Sequence, residues 1–361
     1  MAKLSEEQIM LRDMAQNWVR GESPVSAWRA VRDAGGAAGY DPAVYAEMAA
    51  MGWTGIIIPE AHGGVDFGWM SLGLVAEECA RTLTASPLLA SAIAASAIIL
   101  GGDEAQKARY LPAIASGELV ATLAVDETPR HDPAAISASV SDGKITGTKM
   151  FVAEGDSAGL FVVAAREDGK TGLYLVDGDA AGVARARRRM VDFRSHAEIA
   201  FNGVAADRLM GGGDALLANV LDRARIITSC EMFGMTLQAF DTTLDYLKQR
   251  VQFGQVLATF QALQHRMAGL FTEIELTRSA IEAALTTLDS GGDTSQAAAL
   301  AKSRANDTLH LMSREAVQLH GGIGMTDEYD IGFTLKRARP LEQAWGSSSF
   351  LRDHFARLGG Y

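Results

Sequence analysis

An α+β fold in three consecutive regions is predicted: a helical N-terminal domain, a middle β barrel or sandwich, and a C-terminal four-helix bundle. Three observations predict it. Apolar residues recur at helical spacing from Leu4 to about Glu118, then fall into short β-prone runs from Leu119, and return to a 3-4 spacing from Ala215. A chain of 361 residues has room for two or three domains, each with its own core. The expected regions are residues 1–118, 119–211 and 212–361.

The first region opens with Ser5 ahead of Glu6 and Glu7, a helix start, followed by Ile9, Leu11, Met14, Trp18 and Val19 at roughly helical spacing. Gly52-Trp-Thr-Gly-Ile-Ile-Ile-Pro59 breaks the pattern and Gly63-Gly64 ends a turn. Helices resume at Ser71 to Arg81 and from Pro87, with Leu100-Gly-Gly102 as a stop. In the middle region the β-prone runs are Val120 to Val125, Ile136 to Val140, Lys144 to Thr148, Phe151-Val152, Leu160 to Ala165, Leu173 to Val176 and Glu198 to Phe201. Turns such as Ser141-Asp-Gly143 and Glu167-Asp-Gly169 separate them. In the last region Ile226, Cys230, Phe233, Leu237, Phe240, Leu244 and Leu247 form one long apolar face. Gln261 to Leu288 and Thr294 to Leu319 give two further long helices, the setting of a bundle.

The net charge of −11 disfavours nucleic acid, whose phosphates select basic faces. One basic run, Arg185, Arg187, Arg188 and Arg189, has two readings: a solvated strand edge or turn, which is the simpler, or a docking patch for an anionic cofactor tail. Cys79 and Cys230 stand far apart in apolar helical patterns, as reduced buried thiols do. The N-terminus lacks an apolar signal core, and the apolar stretch Leu88 to Leu100 is too short to span a bilayer. A soluble, cytoplasmic protein with no membrane partner and no metal site is expected.

The most informative residues are Arg250-Val-Gln-Phe-Gly254, followed by Phe260-Gln261 and later by Gln318-Leu-His-Gly-Gly322. An arginine at the end of a long helix can clamp a diphosphate with its planar fork of donors. Phe253 offers a flat face beside it, and Gly321 with Gly322 lets backbone approach a large ligand. Either phenylalanine alone reads most simply as core packing, whereas Arg250 beside Gln252 does not.

These residues resemble the signatures of the acyl-CoA dehydrogenase family. The resemblance extends to Gly52 through Glu60 with Gly63-Gly64, to the segment from Leu221 to Gly254, and to Gln318 through Ser347 with Thr326-Asp-Glu-Tyr329. It implies FAD held between the middle domain and the bundle and completed by a second subunit. Arg250 and Gln252 would bind the pyrophosphate region, with Phe253, Phe260 and Gln261 nearby; Gln318, Gly321 and Gly322 of a neighbouring subunit would meet the adenosine half. Ser347 and Ser349 stand where the family has residues close to the phosphates and adenine, and Phe151 where an aromatic covers the flavin ring. Asp222 would accept a hydrogen bond from the pantetheine arm of an acyl-CoA, with Arg225 supporting the pocket wall; equally, Asp222 reads as an acidic helix start paired with Arg225. The resemblance further implies electron-transfer flavoprotein as electron acceptor. It implies assembly as a homodimer or homotetramer, or as a heterotetramer with a second acyl-CoA dehydrogenase chain.

The family reaction removes a proton α to the thioester carbonyl while hydride passes from the β-carbon to flavin N5, and it needs a well-placed carboxylate. Both positions where family members keep that glutamate are altered here: Trp345, before Gly346, and Ala224, before Arg225. The loop Asp126-Glu-Thr-Pro-Arg-His-Asp132 and Ala153 also depart from the family's flavin contacts. Glu231, seven residues beyond Ala224, and Glu342, three before Trp345, are the remaining candidates, each simpler as a paired or solvated acid. His320 reads as a cofactor-loop or packing residue. Two functions follow: an acyl-CoA dehydrogenase that desaturates a thioester, or a base-less partner subunit that supplies FAD-binding surface.

Overall fold

The computed structural model describes residues 3–36 and 38–361; Met1 and Ala2 of the N-terminal reading, and Ala37, lie outside them. Helix α1 (Glu6–Gly21) starts where its capping chemistry dictates. The Ser5 hydroxyl accepts from the Gln8 amide while the Gln8 side chain returns to the Ser5 amide, a capping box. Helices α2 (Val25–Ala34) and α3 (Pro42–Ala50) follow, the latter capped by Asp41 with proline in its first turn. The glycine-rich interruption folds as two 3-10 turns, Trp53–Gly55 and Glu60–His62. Gly64 is required there, because a Cβ would sit 1.9 Å from the Ile58 carbonyl oxygen. Helices α4 (Gly68–Arg81), α5 (Leu88–Gly101) and α6 (Glu104–Ala115) complete the region, with Gly102 ending α5 as expected.

Eight strands make one mixed sheet: β1 (Ala121–Ala124), β2 (Ser139–Ser141), β3 (Lys144–Ala153), β4 (Leu160–Glu167), β5 (Lys170–Asp177), β6 (Val183–Arg187), β7 (His196–Ala205) and β8 (Asp207–Arg208). Their order is β6-β7-β3-β2-β4-β5-β8, and β1 pairs parallel to β4. Continuous apolar runs bury β4 and β5 on both faces. Strand β6 is absent from the expected runs because arginines interrupt its apolar pattern. It is an edge strand, but its arginines are engaged rather than merely solvated. Arg185 donates to the carbonyls of Asp156, Ala158 and Gly178, Arg187 faces Asp156, and Arg188 pairs with Glu198. Phe151-Val152, expected as a separate run, belongs to β3 beyond a register shift between Lys149 and Val152.

The C-terminal region holds α7 (Gly213–Gln249), a hairpin of β9 (Val251–Gln252) and β10 (Gln255–Val256), α8 (Gln261–Asp289), α9 (Ser295–His320), α10 (Ile331–Gln343) and α11 (Ser348–Leu358). Because α7 starts at Gly213, Asp222 lies well inside the helix. It therefore does not serve as an acidic helix start. Helical, sheet and helical regions thus follow one another as the periodicity indicates.

The chain forms two compact units. One takes the N-terminal stretch through Ala27, Gly73–Thr84 and Arg225–Tyr361; the other takes Trp28–Leu72 and Ala85–Ala224. In the first, Ala80 of α4 packs with Met232 and Met235 of α7, Ala305 and Leu309 of α9, and Ala338 and Leu341 of α10. Gly234 permits the approach of α4, since a Cβ there would lie 2.0 Å from the Glu77 carbonyl oxygen. In the second, Trp53, Ile58, Leu111, Ile114, Phe161 and Phe201 are among the fully buried side chains. Cys79 and Cys230 are free and buried, and burial pushes both thiols well above their ordinary range. Among the described residues no helix is long and apolar enough to cross a membrane, and no cluster of potential metal ligands occurs.

Candidate functional site

Arg250 stands just beyond the last residue of α7. Its amide donates to the Tyr246 carbonyl at 2.8 Å, and its own carbonyl accepts from the Leu257 amide at 2.8 Å, closing the β9–β10 hairpin. Phe253 (φ 54°) and Gly254 (φ 79°) are the two turn residues, the left-handed pair of a two-residue hairpin. This turn holds Phe253 away from any core: the side chain is 87% exposed and touches Phe260 edge-on at 6.2 Å. Core packing is therefore not its role. Arg250, Gln252 and Gln261 are exposed beside it, and Phe260 is half-buried.

At the end of α9, Gln318 is exposed and Gly321 takes φ 66°, ψ −141°, a conformation reserved for glycine. A Cβ at Gly321 or Gly322 would meet no protein atom within 4 Å. Tyr246 ties this turn to the hairpin. Its ring stacks on His320 at 4.3 Å and its hydroxyl donates to the His320 carbonyl at 3.3 Å. Burial lowers the pKa of His320, and its Nδ1, facing the Ala316 carbonyl at 2.7 Å, opposes the fall. The two sequence signatures therefore stand at one end of the same bundle. An exposed guanidinium, an aromatic face held outward and two glycines with open space beside them suit a large phosphate-bearing ligand, and FAD fits this set.

Ser347 caps α11, accepting from the Phe350 amide, and its hydroxyl is 3.1 Å from that of Ser349. In the other unit, Phe151 sits at the β3 bulge with φ 52°, its side chain exposed. The Met150 amide, within the same bulge, donates to the Asp126 carbonyl at 2.7 Å, and Asp126 in turn holds His131 at 2.9 Å. The altered loop is thus a built structure. Glu127 takes Nζ of the fully buried Lys149 at 2.6 Å, with Ser137 and the Ala138 amide as further donors. Burial pushes Glu127 up, but these donors outweigh it and leave its pKa below the usual value.

Neither of the two positions where the resemblance expects a base carries an acid. Ala224 is fully buried, and Trp345 stands in a left-handed turn (φ 60°) whose carbonyl accepts Nε of Arg225 at 3.1 Å. Asp222 and Arg225 are both buried in α7. The two remaining carboxylates are committed. Glu231 accepts Nε and Nη2 of Arg337 at 3.0 and 2.7 Å. Glu342 meets Arg339 at 2.8 Å and His310 at 3.2 Å. Burial raises the pKa of Glu342, and His310 and Arg339 oppose the rise.

Three features escape a sequence reading: the Glu127–Lys149 pair, Arg223 over the Trp69 ring at 6.0 Å, and the buried Lys302 and Asn306 of α9. Only Lys302 left a trace, as a lysine on the buried face marked by Ala298, Ala301 and Ala305.

The fold and these surfaces define a flavoprotein of the acyl-CoA dehydrogenase class. The family model for the acyl-CoA dehydrogenase N-terminal domain matches residues 5–118, and that for the C-terminal domain matches residues 211–359. The chain belongs to the acyl-CoA dehydrogenase family, and its cofactor is FAD. It is 31% identical to the short/branched chain specific acyl-CoA dehydrogenase of Bos taurus, over 78% of this chain and 69% of that one. It is 29% identical to acyl-CoA dehydrogenase IpdE2 of Mycolicibacterium smegmatis, over 98% of both. Among solved structures, a variant of the Tcur3481-Tcur3483 steroid ACAD superposes with a TM-score of 0.92 at 29% identity, covering 98% of each chain.

Proposed function

We infer that this chain is the base-less subunit of a heteromeric acyl-CoA dehydrogenase that desaturates a thioester between its α- and β-carbons. One observation supports the reading: the turn where the resemblance expects the base carries Trp345, and the two candidate carboxylates, Glu231 and Glu342, are held in ion pairs. An indole cannot accept a proton from carbon, and a carboxylate held by arginine is not free to swing toward a substrate. Bound FAD supplies the hydride acceptor. Arg250 and Gln252 would hold its diphosphate, Phe253 and Phe260 would lie beside it, and Gln318, Gly321 and Gly322 would complete the adenosine side of a neighbouring subunit's site. Phe151 would cover the flavin ring, with Ser347 and Ser349 near the phosphates. The two-chain name of the steroid ACAD that this chain resembles supports a second subunit.

Desaturation by this chain alone is the second reading. It is favoured by the retention of Asp222 and Arg225 as buried residues of α7, where an acyl-CoA arm would be met. Electron-transfer flavoprotein would take the electrons in either case.

The chain is purified alone and after co-expression with a family member that keeps the glutamate, then titrated anaerobically with acyl-CoAs. Bleaching of the flavin band is expected only from the co-expressed pair. An FAD-loaded homo-oligomer of this chain that bleaches and turns over by itself overturns the heteromeric reading.

A further inference from the structure

The last turn of α10 and the turn that joins it to α11 are gripped by three side chains from other helices. The Leu341 carbonyl accepts Nζ of Lys302 at 2.9 Å, the Trp345 carbonyl accepts Nε of Arg225 at 3.1 Å, and the Gly346 carbonyl accepts Nδ2 of Asn306 at 3.2 Å. Lys302 and Asn306 stand one turn apart on α9 and are joined, Nζ to Oδ1, at 2.6 Å. All three side chains are buried. Each of these grips ends on a backbone oxygen.

The backbone itself shows that it is held. A bulky residue at φ 60° is strained, and such a conformation persists only where the surroundings over-determine it. The next residue, Gly346, has φ 121°, and a Cβ there would fall 2.7 Å from the Phe350 ring. The turn is imposed on the indole, not chosen by it.

We propose that Arg225, Lys302 and Asn306 form a preformed socket that fixes the backbone of position 345 whatever side chain stands there, and so act as positioning residues for that position. The inference deepens the reading of position 345 as the family's base site, on which its relevance to catalysis rests. A carboxylate introduced by Trp345→Glu would be presented from the same backbone as the indole.

The full chain with FAD provides the test. Acrylamide quenching of Trp345 is isolated as the difference between the wild type and Trp345→Phe. Asn306→Ala and Lys302→Met are each expected to raise the quenching constant of that difference signal about twofold, by loosening the turn locally. The same two substitutions made in the Trp345→Phe background should leave the other tryptophans unchanged. Trp345→Phe and Trp345→Glu should keep the thermal midpoint within about 2 °C of the wild type. Unchanged quenching in both socket variants overturns the socket, as does a drop of about 8 °C or more in Trp345→Phe. Flavin bleaching by acyl-CoA in Trp345→Glu separates the underlying reading. Its absence, with the quenching and midpoint results as expected, supports the socket and counts against position 345 as a base site.

Discussion

Lys302 has no exposed surface, and burial of its ammonium pushes its pKa from 10.5 down to about 7. The charged groups around it are Arg225 and Glu231 of α7 and Glu342 of α10; the carboxylates only partly offset the burial. Between about pH 7 and 10.5 the unfolded chain therefore binds a proton that the folded chain does not, and stability rises with pH across that window. Below about pH 7 the full penalty is present, and above 10.5 it is gone. Lys302→Met should abolish this rise, which denaturant midpoints of the two proteins at pH 7, 8 and 9 would reveal. A second buried charge, Lys149, has Glu127 and the Val125 carbonyl for partners. Glu127→Gln should lower the unfolding free energy by about 3 kcal/mol, because a buried ammonium loses its counter-charge. The double change Glu127→Leu with Lys149→Met should recover most of that loss in the same denaturation experiment.

At the scale of elements, the crossing of α4 over α7 depends on the absence of one side chain. Gly234→Ala would drive a methyl group into the Glu77 carbonyl, and a loss of about 3 kcal/mol is expected in chemical denaturation. The β9–β10 hairpin behaves in the opposite way. Phe253 has almost no protein neighbours, so Phe253→Ser should change the stability of the FAD-free chain by less than about 0.5 kcal/mol. In a fluorescence titration, however, it should weaken FAD binding about tenfold. The same contrast explains what could be read from the chain. Helix starts at Ser5 and the stop at Gly102 were legible because caps are local chemistry. The exposure of Arg250, Phe253 and the Gly321-Gly322 pair agrees with their reading as a group that has no packing reason to stand together. Strand β6 was hidden by its arginines, of which Arg185 binds carbonyls from Asp156 to Gly178 and Arg187 faces the Asp156 carboxylate. Lys302 and Asn306 were hidden because their partners, Leu341 and Gly346, lie far along the sequence. A lysine in isolation reads as solvated.

For the whole molecule, the proposed function has this chain supply cofactor surface and a second chain supply the proton acceptor, so activity should follow stoichiometry. Adding a glutamate-bearing family member to this chain should raise acyl-CoA-dependent flavin reduction until the two are equimolar and no further, measured by anaerobic titration at fixed FAD. The backbone carries a further consequence. Phe151, Phe253 and Trp345 all occupy left-handed conformations that glycine or asparagine would adopt with less strain. Selection of this chain for heat resistance alone would therefore favour replacing those rings first. A thermostabilised descendant would keep the fold and lose rings that the proposed function places at the flavin, so any engineering of this protein has to screen for bound FAD alongside the melting temperature.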